Sequence, residues 1–187
     1  MDGFLLALLL VFVLAMGGRD QWLVAHWADT LGQSAQLLVM AVVCACLSAG
    51  IMAWIGAEFA ALLPRRAAQM LIAFALLIAA AELAFPVRPK APREPTRSLA
   101  AIGAVLLARQ IGDGARFAVF ALAAWTTLPV TVGLGGAVGG AVAVGLGWAA
   151  GAAGLVRWPL PLLRRMLAAG LLVTGVFVGL NARYAVY

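Results

Sequence analysis

Charge is what this chain has least of. Asp, Glu, Lys and Arg make up 11% of its 187 residues, hydrophobic residues make up 65%, and mean hydropathy is +1.06. A soluble domain is about half apolar and about a quarter charged, and a globule of this size could not hide so much apolar surface from water. A soluble enzyme and a nucleic-acid-binding domain are therefore excluded. Acidic residues are scarcest, seven against thirteen Lys and Arg. The net charge of +6 requires no polyanionic partner, because basic residues in a membrane protein mark its cytoplasmic loops. Histidine is confined to His26, and no Ser–His or His-Glu-x-x-His arrangement is present, so the chain is not expected to be an enzyme. Cys44 and Cys46 lie two apart in an apolar run. On a helix they point to different faces, which suits neither a disulfide nor a chelate. The first apolar stretch follows Asp2 rather than Lys or Arg and is not followed by an A-x-A site, so it reads as an uncleaved span rather than a signal peptide.

What is present is apolar helix. A spanning helix needs roughly 20 apolar residues, and this length holds about six with short loops, so the expected fold is an all-α membrane protein of six transmembrane helices. Helix one covers about 3–27 with a polar interruption at Gly17-Gly18-Arg19-Asp20-Gln21, and Asp29 to Ser34 read as a polar turn. Helix two covers about 35–62, and Pro64-Arg65-Arg66 is a basic turn before helix three at about 67–86. Helix four covers about 98–124 and is interrupted from Arg109 to Arg116; Pro129 breaks the next apolar stretch, leaving helix five at about 132–155. Arg157-Trp158-Pro159 is a second basic turn, before helix six at about 161–182.

Between helices three and four the chain reads PVRPKAPREP, which cannot be helical. This linker, 87–97, separates two three-helix halves, 1–86 and 98–187. Arg88, Lys90, Arg93, Arg97, Arg157, Arg164 and Arg165 fall on one side of the membrane, against Arg65, Arg66 and Arg183 on the other. The richer side is expected to be cytoplasmic, with both termini outside a bacterial inner (plasma) membrane. One ungapped shift of 95 residues pairs Gly17 with Gly112, Val24 with Val119, Gly50 with Gly145, Gly56 with Gly151 and Pro64 with Pro159. It also superposes the two polar interruptions and the two basic turns. Three spans per half make the halves antiparallel, and inverted repeats with interrupted helices at matching positions mark secondary transporters with a midplane site.

The interruptions carry the candidate chemistry. A charge at membrane depth costs roughly 3 kcal/mol and normally faces a polar interior. Arg109, Asp113 and Arg116, at i, i+4 and i+7, share one face if helix four continues unbroken, which permits an Arg–Asp–Arg ladder. The expected substrate or ion path comprises Asp113, Asp20, Gln110, Gln21, Arg19, Arg109 and Arg116. Gly17, Gly18, Gly112 and Gly114 are the expected hinges or helix interruptions.

A polar segment after an apolar half-helix, repeated once per half, resembles the Gdt family of divalent-cation transporters. Members are similar in having two antiparallel repeats, each with a motif Glu-x-Gly-Asp-(Lys/Arg)-(Ser/Thr). The motifs together hold manganese or calcium, exchanged against protons. The first motif falls on Ala15-Met16-Gly17-Gly18-Arg19-Asp20-Gln21, where Gly17, Arg19 and Gln21 match and both acidic positions are lost. The second falls on Gln110-Ile111-Gly112-Asp113-Gly114-Ala115-Arg116, where Gly112 and Asp113 match and Gln110 replaces the Glu. The resemblance implies transported Mn2+ or Ca2+, with Asp113 and Asp20 as metal ligands, at an altered site. Asp20 and Asp113 face Arg19, Arg109 and Arg116, a net positive set that repels a dication unless an arginine points away; Arg116, furthest along its helix, is the one expected to do so.

Glu58 and Glu82, near helix ends, are expected at the interface, and His26 with Asp29 in a solvated turn. In helix five Gly135, Gly139, Gly136, Gly140, Gly147 and Gly151 repeat at four-residue spacing, which serves packing within the bundle or a homodimer face. Trp22, Trp27, Trp54, Trp148 and Trp158 form the expected aromatic belt. The leading functional expectation is a secondary transporter of inorganic cations, proton-coupled. The alternatives are a transporter of a non-cationic substrate and a non-transporting membrane partner or assembly protein.

Overall fold

A computed structural model describes residues 2–85 and 98–184. The Pro-rich linker at 87–97, with Arg88, Lys90, Arg93 and Arg97, lies outside the described residues. Every described element is helical: α1 (Asp2–Ala15), α2 (Arg19–Leu31), α3 (Ala35–Leu62), α4 (Arg65–Ala84), α5 (Leu99–Gln110), α6 (Gly114–Trp125), α7 (Pro129–Leu155) and α8 (Leu160–Tyr184). Each half therefore runs short helix, break, short helix, long helix, long helix.

The six expected spans become eight helices because both polar interruptions break their helix outright. At the first, Gly17 adopts φ +70 and Gly18 is extended. Only glycine takes the left-handed region at no steric cost, and α1 meets α2 at a bend of 63°. At the second, Asp113 is extended (φ −88, ψ 137) and caps α6. Four helices, α3, α4, α7 and α8, are long and apolar enough to cross a membrane, and the bent pair α1–α2 makes a fifth candidate. Helices α5 and α6 have 12 residues each, or about 18 Å at 1.5 Å per residue, too short to span singly.

Local chemistry sets the other boundaries. Ser34 Oγ accepts from the Leu37 N–H at 3.3 Å and Ser98 Oγ from the Ala101 N–H at 3.4 Å, capping α3 and α5. Pro129 breaks the apolar stretch as expected and opens α7 at its first position, three residues before the expected start, where its missing N–H costs nothing. Asp29 belongs to α2 rather than to a turn, and its Oδ2 accepts from the Ala152 N–H at 2.9 Å. There it secures a kink in α7 where Gly151 takes φ +64.

The outer faces remain apolar: Leu62, Val173 and Phe177 are 78%, 69% and 65% exposed, surface that water would not tolerate and lipid tails cover. The chain is an all-α membrane-embedded protein. Inside, helices meet through small residues. Gly133 faces Gly50 and Ala53, while Gly145 faces Leu38, so α3 and α7 run antiparallel. Ala73 and Leu77 meet Gly179 and Gly175, so α4 and α8 do too. A side chain at Gly135 or Gly139 would collide with the carbonyls of Phe4 or Leu8, placing α1 parallel to α7. The glycine rows of α7 are thus filled by α1, α2 and α6, and are not open to a second copy. Trp27 is likewise a core residue at 3% exposure rather than part of a belt, whereas Trp54 is 64% exposed.

Gly139→Leu is expected to destabilise the fold by at least about 2 kcal/mol, since overpacked backbone cannot relax. Gly112→Ala, with no atom near its Cβ position, is expected to leave the melting temperature unchanged. Thermal unfolding in detergent checks the pair.

Candidate functional site

The two breaks meet. Gln110, last residue of α5, donates from Nε2 to Asp20 Oδ2 in the first turn of α2 at 3.3 Å. Asp20 is 2% exposed and Gln110 fully buried, so the contact is closed to lipid and water. Asp113, at the head of α6, lies within electrostatic reach of Asp20, Arg116, Glu82 and Arg164. Its Oδ2 is 3.9 Å from Arg116 Nη1. Arg116 is fully buried and donates from Nε to Ser48 Oγ of α3 at 2.8 Å. Gly140 of α7 makes room for the guanidinium: a Cβ there would stand 3.2 Å from Nη1.

A second group of charges adjoins the first. Glu82 of α4 pairs with Arg164 Nη2 of α8 at 3.1 Å and with Arg19 Nε at 3.9 Å. Its other oxygen faces the first residue of α6, 3.0 Å from where a Cβ on Gly114 would sit. Gly114 is therefore a packing glycine, with Leu83 and the Ala79 carbonyl also against it, and not a hinge. Gly17 and Gly18 form the first break and Gly112 lies in the second.

Several expected roles change. Helix four ends at Gln110 and restarts at Gly114, so the i, i+4, i+7 face joining Arg109 to Asp113 does not exist, and Arg109 is exposed. Arg116, expected to point away, is the arginine that stays. Arg19 is 58% exposed at its side chain and turns outward. Gln21 holds structure together: its Oε1 accepts from the Gly17 N–H at 2.7 Å, and its Nε2 donates to the Ala143 carbonyl at 2.8 Å. Neither Glu82 nor Arg164 is where the sequence placed it. The Glu82 side chain is 10% exposed and turned onto Arg164, and Arg164, counted above as a loop charge, is 4% exposed inside the bundle. His26 is half-buried with its ring 6.2 Å from that of Trp22.

The charge balance changes with them. Two buried carboxylates, Asp20 and Asp113, now face two buried guanidiniums, Arg116 and Arg164, with the partly buried Glu82 between Arg164 and Arg19. The buried set sums to zero where the sequence read positive. Gln110 Oε1, Asp113 Oδ2 and both terminal nitrogens of Arg116 are buried without a hydrogen-bond partner, so donors and acceptors are left over inside the bundle. Among the described residues no three of His, Cys, Asp and Glu converge as metal ligands. A divalent ion taking six or more oxygens does not fit this closed arrangement while Arg116 stands beside Asp113.

One numerical relation runs through these contacts. Position 21 touches 143, and position 116 touches 48. Position 8 touches 139 and position 103 touches 44; 38 touches 145 and 133 touches 50. In every pair, adding 95 to one partner and subtracting it from the other converts the first contact into the second.

No protein-family model, curated protein or solved structure matches the chain.

Ser48, Glu82 and Arg164 were missed in the sequence. Only Ser48 carried a signal, since it lies 95 before Ala143, as Gln21 does before Arg116. Arg116→Met is expected to cost about 3–5 kcal/mol by stranding a buried carboxylate. Asp113→Asn in the same chain should recover much of that loss. A double-mutant cycle by thermal unfolding measures the coupling.

Proposed function

We propose that the chain is a secondary transporter of inorganic cations, coupled to protons, whose path passes between the two helix breaks. On this reading residues 1–86 and 98–187 are inverted repeats joined by a cytoplasmic linker, in a bacterial inner membrane with both termini outside. The contact between Gln110 and Asp20 carries the proposal. It joins the two breaks, one from each half, and brings Asp20 and Asp113 to one buried place. The contacts related by 95 support the repeat, and the antiparallel course of α3 against α7 supports its inversion.

The buried charges cancel rather than sum to the positive value read from the sequence, which lifts the repulsion against a cation. Manganese and calcium enter through similarity to the Gdt family, whose motif positions coincide with both breaks. Asp113 is the group that binds cargo or proton, Asp20 is its partner across the breaks, and Gln110 supplies a neutral oxygen through Oε1. Arg116 neutralises Asp113 in the closed form and must part from it before a dication enters, which makes the pair an internal counter-ion released by cargo. No covalent step is involved. The same buried pair also favours a second reading: a non-transporting relative in which Arg116 permanently fills the cargo position, leaving a membrane partner or assembly protein.

Flux into proteoliposomes separates the two. Under an imposed pH gradient, uptake of Mn2+ or Ca2+ is expected in the native chain and is expected to fall to background in Asp113→Asn. Glu58→Gln, remote from the breaks, should leave it unchanged. Uptake that survives Asp113→Asn removes Asp113 from the path; no flux of either ion in the native chain favours the non-transporting reading.

A further inference from the structure

A cavity of about 280 Å³ opens between the first helix break and the start of α8. Its lining includes Gly17, Trp22, Trp158, Leu160, Arg164 and Arg165, and is otherwise apolar. Arg164 is 4% exposed. Its Nη2 is used by Glu82, but Nε and Nη1 are buried with no hydrogen-bond partner. A guanidinium with two idle donors in an apolar site is costly unless something accepts from them. Arg165 adds a second positive charge, and no acidic side chain lines the cavity among the described residues. The first residues of α8 form part of the wall, so the positive end of a 25-residue helix lies there too.

We propose that this cavity binds the phosphate of an anionic phospholipid, with Arg164 as the main ligand and Arg165 at the mouth. Phosphate oxygens match the planar fork of an arginine better than a point charge does. The apolar remainder of the lining suits a glycerol backbone and the upper acyl chain, and would leave a free hydrated anion unsolvated. Trp22 and Trp158 are both half-buried there, the placement that aromatic residues take at the level of lipid headgroups. Basic pockets between transmembrane helices recognise lipid headgroups by this chemistry. Arg164 Cδ also lies 3.3 Å from the Cβ position of Gly17, so a phosphate held by Arg164 would brace the first break from outside. The inference needs only a membrane-embedded chain and is independent of transport.

The test is native mass spectrometry of the purified chain equilibrated with equal amounts of phosphatidylglycerol and phosphatidylcholine. Phosphatidylglycerol is expected to be retained about tenfold over phosphatidylcholine, as two arginines near a headgroup imply. Arg165→Gln, an exposed position, should weaken that preference. Arg164→Lys, which keeps a charge for Glu82 but loses the idle donors, should abolish it. Tryptophan fluorescence on adding each lipid provides a second readout in Arg165→Gln should Arg164→Lys fail to fold. Equal retention of the two lipids overturns the proposal, as does a preference that survives in Arg165→Gln by both readouts. Displacement of phosphatidylglycerol by millimolar inorganic phosphate overturns the lipid assignment in favour of a free-oxyanion site.

Discussion

A helix broken inside a bilayer frees amide and carbonyl groups that lipid cannot satisfy, so irregular backbone at that depth must be enclosed by protein. The first break in this chain is enclosed in that way, and so is the Asp113 end of the second, while Ile111 and Gly112 stay exposed. Gln21 reaches back to the Gly17 N–H and outward to α7. The Asp113 carbonyl accepts from the Arg116 and Phe117 N–H groups as α6 restarts. Long helices then pack around the breaks at close range. Leu160 of α8 touches the Cβ position of Gly17 at 3.0 Å, and α4 crowds Gly114. Glycine at these contacts lets neighbouring helices approach closely enough to exclude lipid.

Closure of the breaks also determines their electrostatics. Asp20 lies in the first turn of α2 and Asp113 caps α6, so each carboxylate faces the positive end of a helix. Two carboxylates in reach of one another in a low-dielectric interior need a counter-charge. Arg116 supplies one. Glu82 and Arg164 form a second pair, which ties α4 to α8 beside the first. Removing any one member leaves a charge unbalanced against the others, which binds α2, α4, α6 and α8 into one electrostatic unit.

Apolar length and turn chemistry were legible in the sequence. The bounds of α3 follow from an apolar run between Ser34 and Pro64 in which Glu58 is the one charge, and both breaks were visible as glycine beside charge. Side-chain direction was not. Arg109 and Arg116 were ranked by position along a continuous helix, and the break rotates one away from the other. Glu82 and Arg164 stand within a few residues of helix ends, where long side chains can turn either to the interface or inward. Only the crossing of α4 with α8 decides that, and it is a tertiary fact. The glycine rows of α7 posed the same problem: their spacing announces a close partner without saying whether it belongs to the same chain.

The relation by 95 residues matters most where the chemistry departs from it. Gln21 and Arg116 occupy equivalent positions, and each reaches the equivalent position on the opposite long helix, Ala143 or Ser48. One is neutral and satisfied by backbone; the other is charged, with two unpaired nitrogens. Glu82 and Arg164 have no charged counterparts, since the same shift pairs them with Phe177 and Gln69. Packing is thus close to symmetric while the charges are not: Asp20 and Glu82 stand in the first half and Asp113, Arg116 and Arg164 in the second, none at equivalent positions.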